Sequence, residues 1–473
     1  MISPTLPPPL PVVLLGLLTI AAQLGKEKQK YQLIYDGIVK TGLLILLGIL
    51  LLTEVEPGTA TGILHWDSLA RVGQVLSLLV ALPLLILTMG ASAEQFRCER
   101  AVLMANLTMG WLVMSAHHML VLTATCLLYG GMLIRFAHDL VPSQYVKKAQ
   151  RCLITVTCSS GVMLILASLV FYLFCGNLQM TVMRSMLSNS ANESWLASSL
   201  ALLLCSLAIW LGWVPGHKWF LDLTPLLSGR SSSWICLLPR VVFSIPLIRI
   251  LYGLYTDSAS TPLQATPWPL LVGVISTATI LLGASMAFRQ SDVRRLLVFL
   301  TIGQGGYITL NLVTISTKSL LAFLVGIGQI SITLLILMLI LENCQSGKGA
   351  GMLLHLQALG HQAPIIGGCI SILCFTLVGF PPLPGYPIRF QQLWGLLSTK
   401  GTFWLTLVTI LHLLMTLAVI LRLMGLIWSP IRSKKNDLGK ETNSMAVWGT
   451  AAAILLGYYG WILATQLDNW LVF

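Results

Sequence analysis

Isolated polar side chains inside and beside long apolar stretches are the residues of this chain whose types could do chemistry. A charged group in a bilayer is costly, so an ionisable residue there marks an ion or proton path by default. Histidine gains and loses protons near neutral pH, whereas arginine stays charged and can only shape the local field. The residues that could line such a path, or hold helices together, are Arg240, His217, Arg289, Gln304, Tyr307, Arg389 and His412.

Motifs for other kinds of chemistry do not occur in the sequence. The ten cysteines show no metal-ligand or redox spacing, and five of them fall within apolar stretches, where a thiol behaves as a small apolar group. Gly349 and Gly351 follow no strand, so they fail the context that dinucleotide binding requires. The adjacent His117 and His118 point to different faces of the chain, so we interpret them as interfacial hydrogen-bonding groups. We expect no catalytic residue, no metal and no cofactor held by this chain.

The composition indicates a membrane protein, because 56% of the residues are hydrophobic, 9% are charged and the mean hydropathy is +0.85. A bilayer core needs about 20 apolar residues per helix, and helices satisfy their own backbone hydrogen bonds. We predict an all-α polytopic membrane protein of about fourteen transmembrane helices. The spans are expected near residues 11–24, 41–52, 70–89, 102–115, 120–134, 153–174, 195–214, 235–252, 269–287, 296–313, 320–341, 365–380, 403–424 and 447–464.

Charge in the loops predicts the orientation of these spans. Lysines and arginines concentrate in the loops that follow odd-numbered spans, whereas the loops after even-numbered spans carry acidic residues. Basic loops face the cytoplasm, so both termini are expected on the opposite side. The net charge of +12 is explained by these short loops, and we expect the lipid bilayer rather than nucleic acid as a partner.

Prolines interrupt two of the spans. The seventh span breaks at Pro215, and the twelfth breaks at Pro381 and Pro382, so each should be a broken helix with freed carbonyls at membrane depth. The breaks are five spans apart, which indicates inverted five-helix repeats with polar sites at the broken helices. The predicted divisions are the first three helices in 1–101, two repeats in 102–254 and 268–426, and a last helix in 444–473.

Three segments carry a family resemblance. Val214-Pro-Gly-His217-Lys-Trp219, followed by Asp222, resembles a Pro-Phe-His-x-Trp-x-x-Asp motif. Ala287-Phe-Arg-Gln-Ser-Asp-Val-Arg-Arg-Leu-Leu297 continues into Thr301-Ile-Gly-Gln-Gly-Gly-Tyr307, and Gly379-Phe-Pro-Pro-Leu-Pro-Gly385 resembles Gly-Leu-Pro-Pro-Leu-Ala-Gly. Together they resemble the antiporter-like membrane subunits of complex I, most closely subunit 2 (subunit N or B) of the cyanobacterial and chloroplast NAD(P)H dehydrogenase. The resemblance covers roughly spans four to thirteen.

The resemblance implies proton translocation through buried charges, driven by redox chemistry in other subunits. The family's half-channel, a chain of buried charged groups, has a glutamate in the fifth helix and lysines in the seventh and eighth. Those positions fall here on Thr125, Trp210 and Arg240, and the twelfth-helix lysine falls on Arg389. We therefore predict a degenerate first half-channel, in which histidines such as His217 would have to substitute.

The function expected from this resemblance is a membrane-arm subunit of an NAD(P)H- or ferredoxin-quinone oxidoreductase of complex I type. Its partners would be other membrane subunits, which would use the quinone and NAD(P)H or ferredoxin. The expected location is a bacterial plasma membrane or a thylakoid membrane. The alternative is a subunit of a multi-subunit monovalent cation/proton antiporter, because the same module also builds such antiporters, or an anion transporter, which would suit Arg240 and Arg389.

Overall fold

A computed structural model describes residues 10–27, 32–52, 64–86, 93–187, 193–254, 268–344, 352–430 and 440–466. Within these residues the chain is almost entirely helical and contains isolated β-bridges but no strand. The α-helices are α1 (Leu10–Glu27), α2 (Gln32–Leu52), α3 (Ser68–Ile86), α4 (Ala93–Ser115), α5 (Met119–Leu140), α6 (Val146–Cys175), α7 (Met180–Leu187), α8 (Glu193–Leu211), α9 (Lys218–Leu223), α10 (Gly229–Leu254), α11 (Trp268–Arg289), α12 (Val293–Thr309), α13 (Thr317–Asn343), α14 (Leu359–Gln362), α15 (Pro364–Val378), α16 (Gly385–Ser398), α17 (Phe403–Ile427) and α18 (Lys440–Gln466).

The described helices fit a membrane protein. Eight of them are long and apolar enough to cross a bilayer, and α14 and α15 form a further bent pair with an angle of 118°. Shorter apolar helices lie within α1, α2, α8 and α18. The all-α membrane class predicted from the sequence is therefore confirmed. The count of fourteen spans, the inverted repeat and the four-part division remain predictions.

Two compact units make up the chain, and the first comprises residues 1–211 and 238–268. Within it α5 packs against α4 and α6, α6 packs against α8, and α1 packs against α2 and α4. Apolar side chains of α6 are exposed along one side, for example Val162, Leu169 and Leu173. A helix that is apolar all round, with large exposed apolar residues, is suited to contact with lipid.

The second unit comprises residues 212–237 and 269–472. Helix α13 is its centre, because α12, α15, α16 and α18 all pack against it. The most apolar stretch of α12 is completely buried and that of α13 nearly so. Side chains cap the N-termini of α12 and α13. The Asp292 carboxylate accepts a hydrogen bond from the Arg295 N–H at 3.1 Å, and the Ser316 hydroxyl accepts one from the Ser319 N–H at 3.2 Å. These bonds satisfy backbone donors that the first turn of a helix leaves free.

Helices stop at both proline-rich segments. Helix α8 ends at Leu211 and α9 begins at Lys218, while α15 ends at Val378 and α16 begins at Gly385. The breaks predicted at Pro215 and at Pro381 and Pro382 are therefore present. Gly379 ends α15 with φ +82°, a conformation that L side chains rarely adopt.

The second break depends on a close approach that only glycine allows. A Cβ added to Gly385 would overlap the Thr376 carbonyl oxygen of α15. We expect Gly385→Ala to lower the free energy of unfolding by about 1–3 kcal/mol, as overpacking does. Thermal unfolding in detergent measures this. Gly368→Ala is the control, because nothing lies within 4 Å of its added Cβ; an equal loss there would contradict the explanation.

Candidate functional site

A buried arginine lies directly after the second helix break. Arg389, the fifth residue of α16, is 5% exposed. Its Nη2 donates to Gln304 Oε1 at 2.6 Å and to the Leu377 carbonyl oxygen, and its Cζ lies 3.8 Å from the centre of the Tyr307 ring. Leu377 is in the last turn of α15, where carbonyls lack helical partners. A carbonyl that the end of α15 leaves free thus accepts a hydrogen bond from this buried arginine.

Two further helices complete this site. The ring of His412, on α17, stacks on Tyr307 with centres 5.0 Å apart, and its Nε2 lies 3.4 Å from Thr416 Oγ1. Gln392, one turn after Arg389, donates to the Tyr307 carbonyl oxygen at 2.8 Å. Gln304, Tyr307 and His412 are at most 1% exposed. We call Gln304, Tyr307, Arg389 and His412 the Arg389 cluster; the structure brings together four of the residues proposed from the sequence.

The other candidates lie elsewhere. Arg289 is exposed at the end of α11, and His217 is half-buried just before α9. Arg240 is buried in α10, with 4% of its surface exposed. Arg240 belongs to the first unit, and neither Arg289 nor His217 is among the residues described as contacting the Arg389 cluster. Their assignment to a proton path therefore stays a prediction.

Thr125 and Trp210, which the sequence predicts to be degenerate half-channel positions, are buried and uncharged. The Thr125 hydroxyl donates to the carbonyl oxygens of Val121 and Leu122 in its own helix, at 2.8 and 3.1 Å. Trp210 is completely buried and donates from Nε1 to Ser160 Oγ at 2.8 Å. Neither side chain can carry a proton in the way that a glutamate or a lysine can.

An ion pair that we did not predict lies in the first unit. Arg249 of α10, 6% exposed, donates from Nη2 to Asp67 Oδ1 at 2.8 Å. Its Nη1 donates to the carbonyl oxygens of Met114 and Ala116 at 2.8 Å each, at the C-terminal end of α4 where a cation is favoured. The sequence held a signal, because Arg249 falls within the predicted span 235–252. One arginine thereby joins α10, the end of α4 and the segment before α3.

Two histidines extend this ion pair. His65 Nδ1 lies 3.5 Å from Asp67 Oδ2, and the His65 ring lies 4.9 Å from that of His117, between α4 and α5. Burial opposes ionisation of Asp67, but the Arg249 guanidinium, His65 and the Ala70 N–H together hold its pKa below the usual value. Burial, assisted by the positive charge of Arg249, lowers the pKa of His117 to about 4.

Acid should destabilise this region through His117. Its pKa is about 4 in the folded chain against an ordinary value of 6.5, so unfolded chains bind a proton between those values that folded chains do not. Stability is therefore lost as the pH falls through that window, whereas the contribution of Asp67 is lost mainly below its ordinary pKa of 3.8. We expect the thermal midpoint to fall from pH 6.5 to pH 4, and to fall less in His117→Asn. The exposed His138→Asn is the control, and equal profiles for all three proteins would refute this account.

Comparisons with known proteins agree with the architecture. Residues 132–416 match the family described as NADH:quinone oxidoreductase/Mrp antiporter, TM. NADH-quinone oxidoreductase subunit N 2 of Aquifex aeolicus is 26% identical over 295 residues, which are 60% of this chain and 58% of that protein. Subunit N 1 of Rhizobium meliloti is 25% identical over 432 residues, 88% of this chain and 86% of that protein. The chain thus spans less than two thirds of the first relative.

Solved structures share the fold over nearly the whole length of the chain. A subunit of the archaeal membrane-bound sulfane sulfur reductase superposes with a TM-score of 0.81 at 15% identity, covering 97% of this chain and 96% of that one. A subunit of the Mrp complex from Dietzia sp. DQ12-45-1b superposes with a TM-score of 0.78 at 16% identity, covering 98% and 95%. At these identities the matches establish the fold alone.

Proposed function

Since the chain belongs to the NADH:quinone oxidoreductase/Mrp antiporter family of membrane proteins, we propose that it is a membrane-arm subunit of a complex I-type quinone oxidoreductase, similar to subunit N. NAD(P)H or ferredoxin would be oxidised, and quinone reduced, by other subunits of that assembly. This chain would bind none of these molecules. It would lie in a bacterial plasma membrane or a thylakoid membrane, with its basic loops on the cytoplasmic or stromal side.

The observation that carries the proposal is the Arg389 cluster at the broken helix. Membrane transporters place their ion sites at broken helices, where backbone carbonyls are freed from the helix. Arg389 Nη1 and His412 Nδ1 find no hydrogen-bond partner among the described residues, so the cluster has polar groups left to join a path. The neutral imidazole of His412 has one donor and one acceptor nitrogen, so it can pass a proton along a hydrogen-bonded path.

The arginine acts through its field rather than as a proton carrier. A guanidinium stays protonated in proteins, so Arg389 cannot pass its proton on. Its fixed charge raises the energy of any other cation nearby. In the first unit, Thr125 and Trp210 supply no charge, which supports a degenerate first half-channel. We propose that the chain moves protons poorly there and contributes mainly structure to the membrane arm.

The alternative, a subunit of a monovalent cation/proton antiporter or an anion transporter, is supported by the fold shared with the Mrp complex. A site that exchanges a monovalent cation for protons would, however, be favoured by a carboxylate that is not already paired. Asp67 is already neutralised by Arg249, and the contacts of the Arg389 cluster are with amide, carbonyl, phenol and imidazole groups. The residues of this cluster therefore favour the quinone oxidoreductase assignment over a cation site.

Everted membrane vesicles distinguish the two functions. Vesicles from a strain lacking this chain are compared with vesicles from the complemented strain, using a pH-sensitive dye. We expect the deletion to reduce acidification driven by NAD(P)H or reduced ferredoxin with a quinone acceptor. Proton release induced by added Na⁺ or K⁺ should be unchanged. Loss of the cation-induced signal alone, with donor-driven acidification intact, would support the antiporter and contradict the proposal.

Two substitutions test whether protons take a different route here. We expect Arg240→Ala and, separately, His217→Ala to leave proton pumping by the assembled complex within about twofold of wild type, because the proposal places no working proton path at either residue. A factor of two corresponds to ~0.4 kcal/mol of barrier. Pumping is measured per electron, with assembly checked by native electrophoresis. Loss of pumping by either variant in an intact complex would establish a rerouted path.

A further inference from the structure

Three aromatic rings meet in the interior of the first unit. The rings of Trp210 and Phe243 stack almost parallel, with centres 4.9 Å apart and an angle of 4°. Tyr129 meets both edge-on, at 5.5 Å from Trp210 and 5.4 Å from Phe243. All three residues are 0% exposed. We call Tyr129, Trp210 and Phe243 the aromatic plug.

The plug lies near the positions that the resemblance assigns to the first half-channel. Tyr129 is near the middle of α5 and Phe243 near the middle of α10. Thr125, at the position of the family's glutamate, precedes Tyr129 by one helical turn on the same face. Trp210 itself stands at the position of the seventh-helix lysine. The rings therefore occupy the place where the resemblance puts charged groups.

Polar groups beside the plug are hydrogen-bonded to one another. The Trp210 Nε1–H donates to Ser160 Oγ at 2.8 Å, and Ser160 Oγ and Ser206 Oγ are 2.8 Å apart. Ser206 Oγ also donates to the Ser160 carbonyl oxygen at 3.1 Å. The Ser160 hydroxyl thus accepts from the indole, and the Ser206 hydroxyl donates to the backbone of α6.

Proton transfer along hydrogen bonds requires each member to accept one proton and release another. An indole nitrogen is a donor only, so Trp210 cannot accept a proton from Ser160. The Tyr129 hydroxyl has no hydrogen-bond partner among the described residues. The stacked rings fill the remaining space with apolar surface, and apolar constrictions block conduction by excluding water.

We propose that the aromatic plug is a proton barrier, so that the first unit insulates the membrane where a channel would otherwise cross it. This inference rests on the proposed function, in which the first half-channel is degenerate, and adds the residues that close it. The plug keeps the proton gradient made by other subunits from leaking through this chain. A unit that merely lacks the charged residues could still leak protons through water, whereas the plug is proposed to exclude that water.

The test is the proton permeability of vesicles that contain the purified full-length chain. Vesicles are loaded with a pH indicator, and a potassium diffusion potential drives proton entry. We expect Trp210→Ala to raise the entry rate at least about tenfold, which corresponds to ~1.4 kcal/mol off the barrier. Trp210→Phe should stay as tight as wild type, because a second phenyl ring can still stack on Phe243.

Trp268→Ala is the matched control. Trp268 is also 0% exposed and lies in the same unit, where its ring contacts Tyr252 rather than the plug. It should stay tight although it loses the same side-chain volume. A leak through Trp268→Ala equal to that through Trp210→Ala would overturn the proposal, as would a Trp210→Ala protein as tight as wild type.

A second substitution keeps the test decisive if Trp210→Ala does not fold. Phe243→Ala removes the stacked ring from the other side, and the same rise in proton entry is expected with the same controls. The assay uses the chain without redox partners, so its result is independent of which complex the chain joins. Failure to find quinone oxidoreductase activity would refute the proposed function and leave the leak measurement valid.

Discussion

Replacing Arg389 with leucine should lower the free energy of unfolding by about 3 kcal/mol or more, because buried polar partners lose their donor. The Leu377 carbonyl and Gln304 Oε1 both accept from Arg389 Nη2, and the Tyr307 ring loses its cation. The Leu377 carbonyl, at the end of α15, is then left without its donor at the break between α15 and α16. Thermal and denaturant unfolding of the detergent-solubilised chain, followed by circular dichroism, measures the loss.

Arg389→Lys separates charge from shape. An ammonium keeps the positive charge but cannot donate in a planar fork or lie flat over Tyr307, so an intermediate loss is expected. Arg422→Leu is the matched control, because Arg422 also donates to a carbonyl oxygen, that of Phe288, but is exposed. Its loss should stay below about 1 kcal/mol, as for other exposed charges. Equal losses in Arg389→Leu and Arg422→Leu would contradict the role given to the cluster.

Breaking the Arg249–Asp67 pair should have the other large effect. Removing one partner of a buried ion pair leaves an uncompensated charge and costs about 3–5 kcal/mol. Arg249→Met should lie in this range, because it also frees the Met114 and Ala116 carbonyls; Asp67→Asn should cost somewhat less, since Asp67 is 25% exposed. The readout is again the free energy of unfolding.

The double variant tests that the two residues act through each other. Arg249→Met with Asp67→Asn should lose at least about 1 kcal/mol less than the sum of the single losses, as coupled residues do. The pair Arg135 and Asp139, 3.1 Å apart, is the control; because the Arg135 side chain is 63% exposed, breaking this pair should cost less than about 1 kcal/mol. Additive losses for Arg249 and Asp67 would show that the pair contributes nothing as a pair.

Much of the second-unit site could be predicted because its signals are local. Pro381 and Pro382 inside an apolar stretch indicate a broken helix, and Arg389 follows within one short segment. Isolated polar residues in apolar spans singled out Gln304 and His412. What the sequence could not supply was their arrangement, since the hydrogen bond from Arg389 to Gln304 joins residues 85 positions apart.

The first-unit features were missed for a different reason. Arg249 and Asp67 are 182 positions apart, and Asp67 reads as an ordinary loop acid until the fold brings it to α10. Tyr129 and Phe243 carry no signal of their own, because aromatic residues are common in apolar helices. Only the angles and distances among the rings distinguish a plug from ordinary core packing.

The central claim, membership of a complex I-type assembly, is tested most directly by purifying the chain at its native level. An affinity tag on the chromosomal copy, a mild detergent and mass spectrometry of the intact complex identify what comes with it. The account predicts other antiporter-like membrane subunits together with redox subunits that reduce quinone with NAD(P)H or ferredoxin. Recovery of the chain with antiporter-type membrane subunits alone, and no redox subunit, would contradict it.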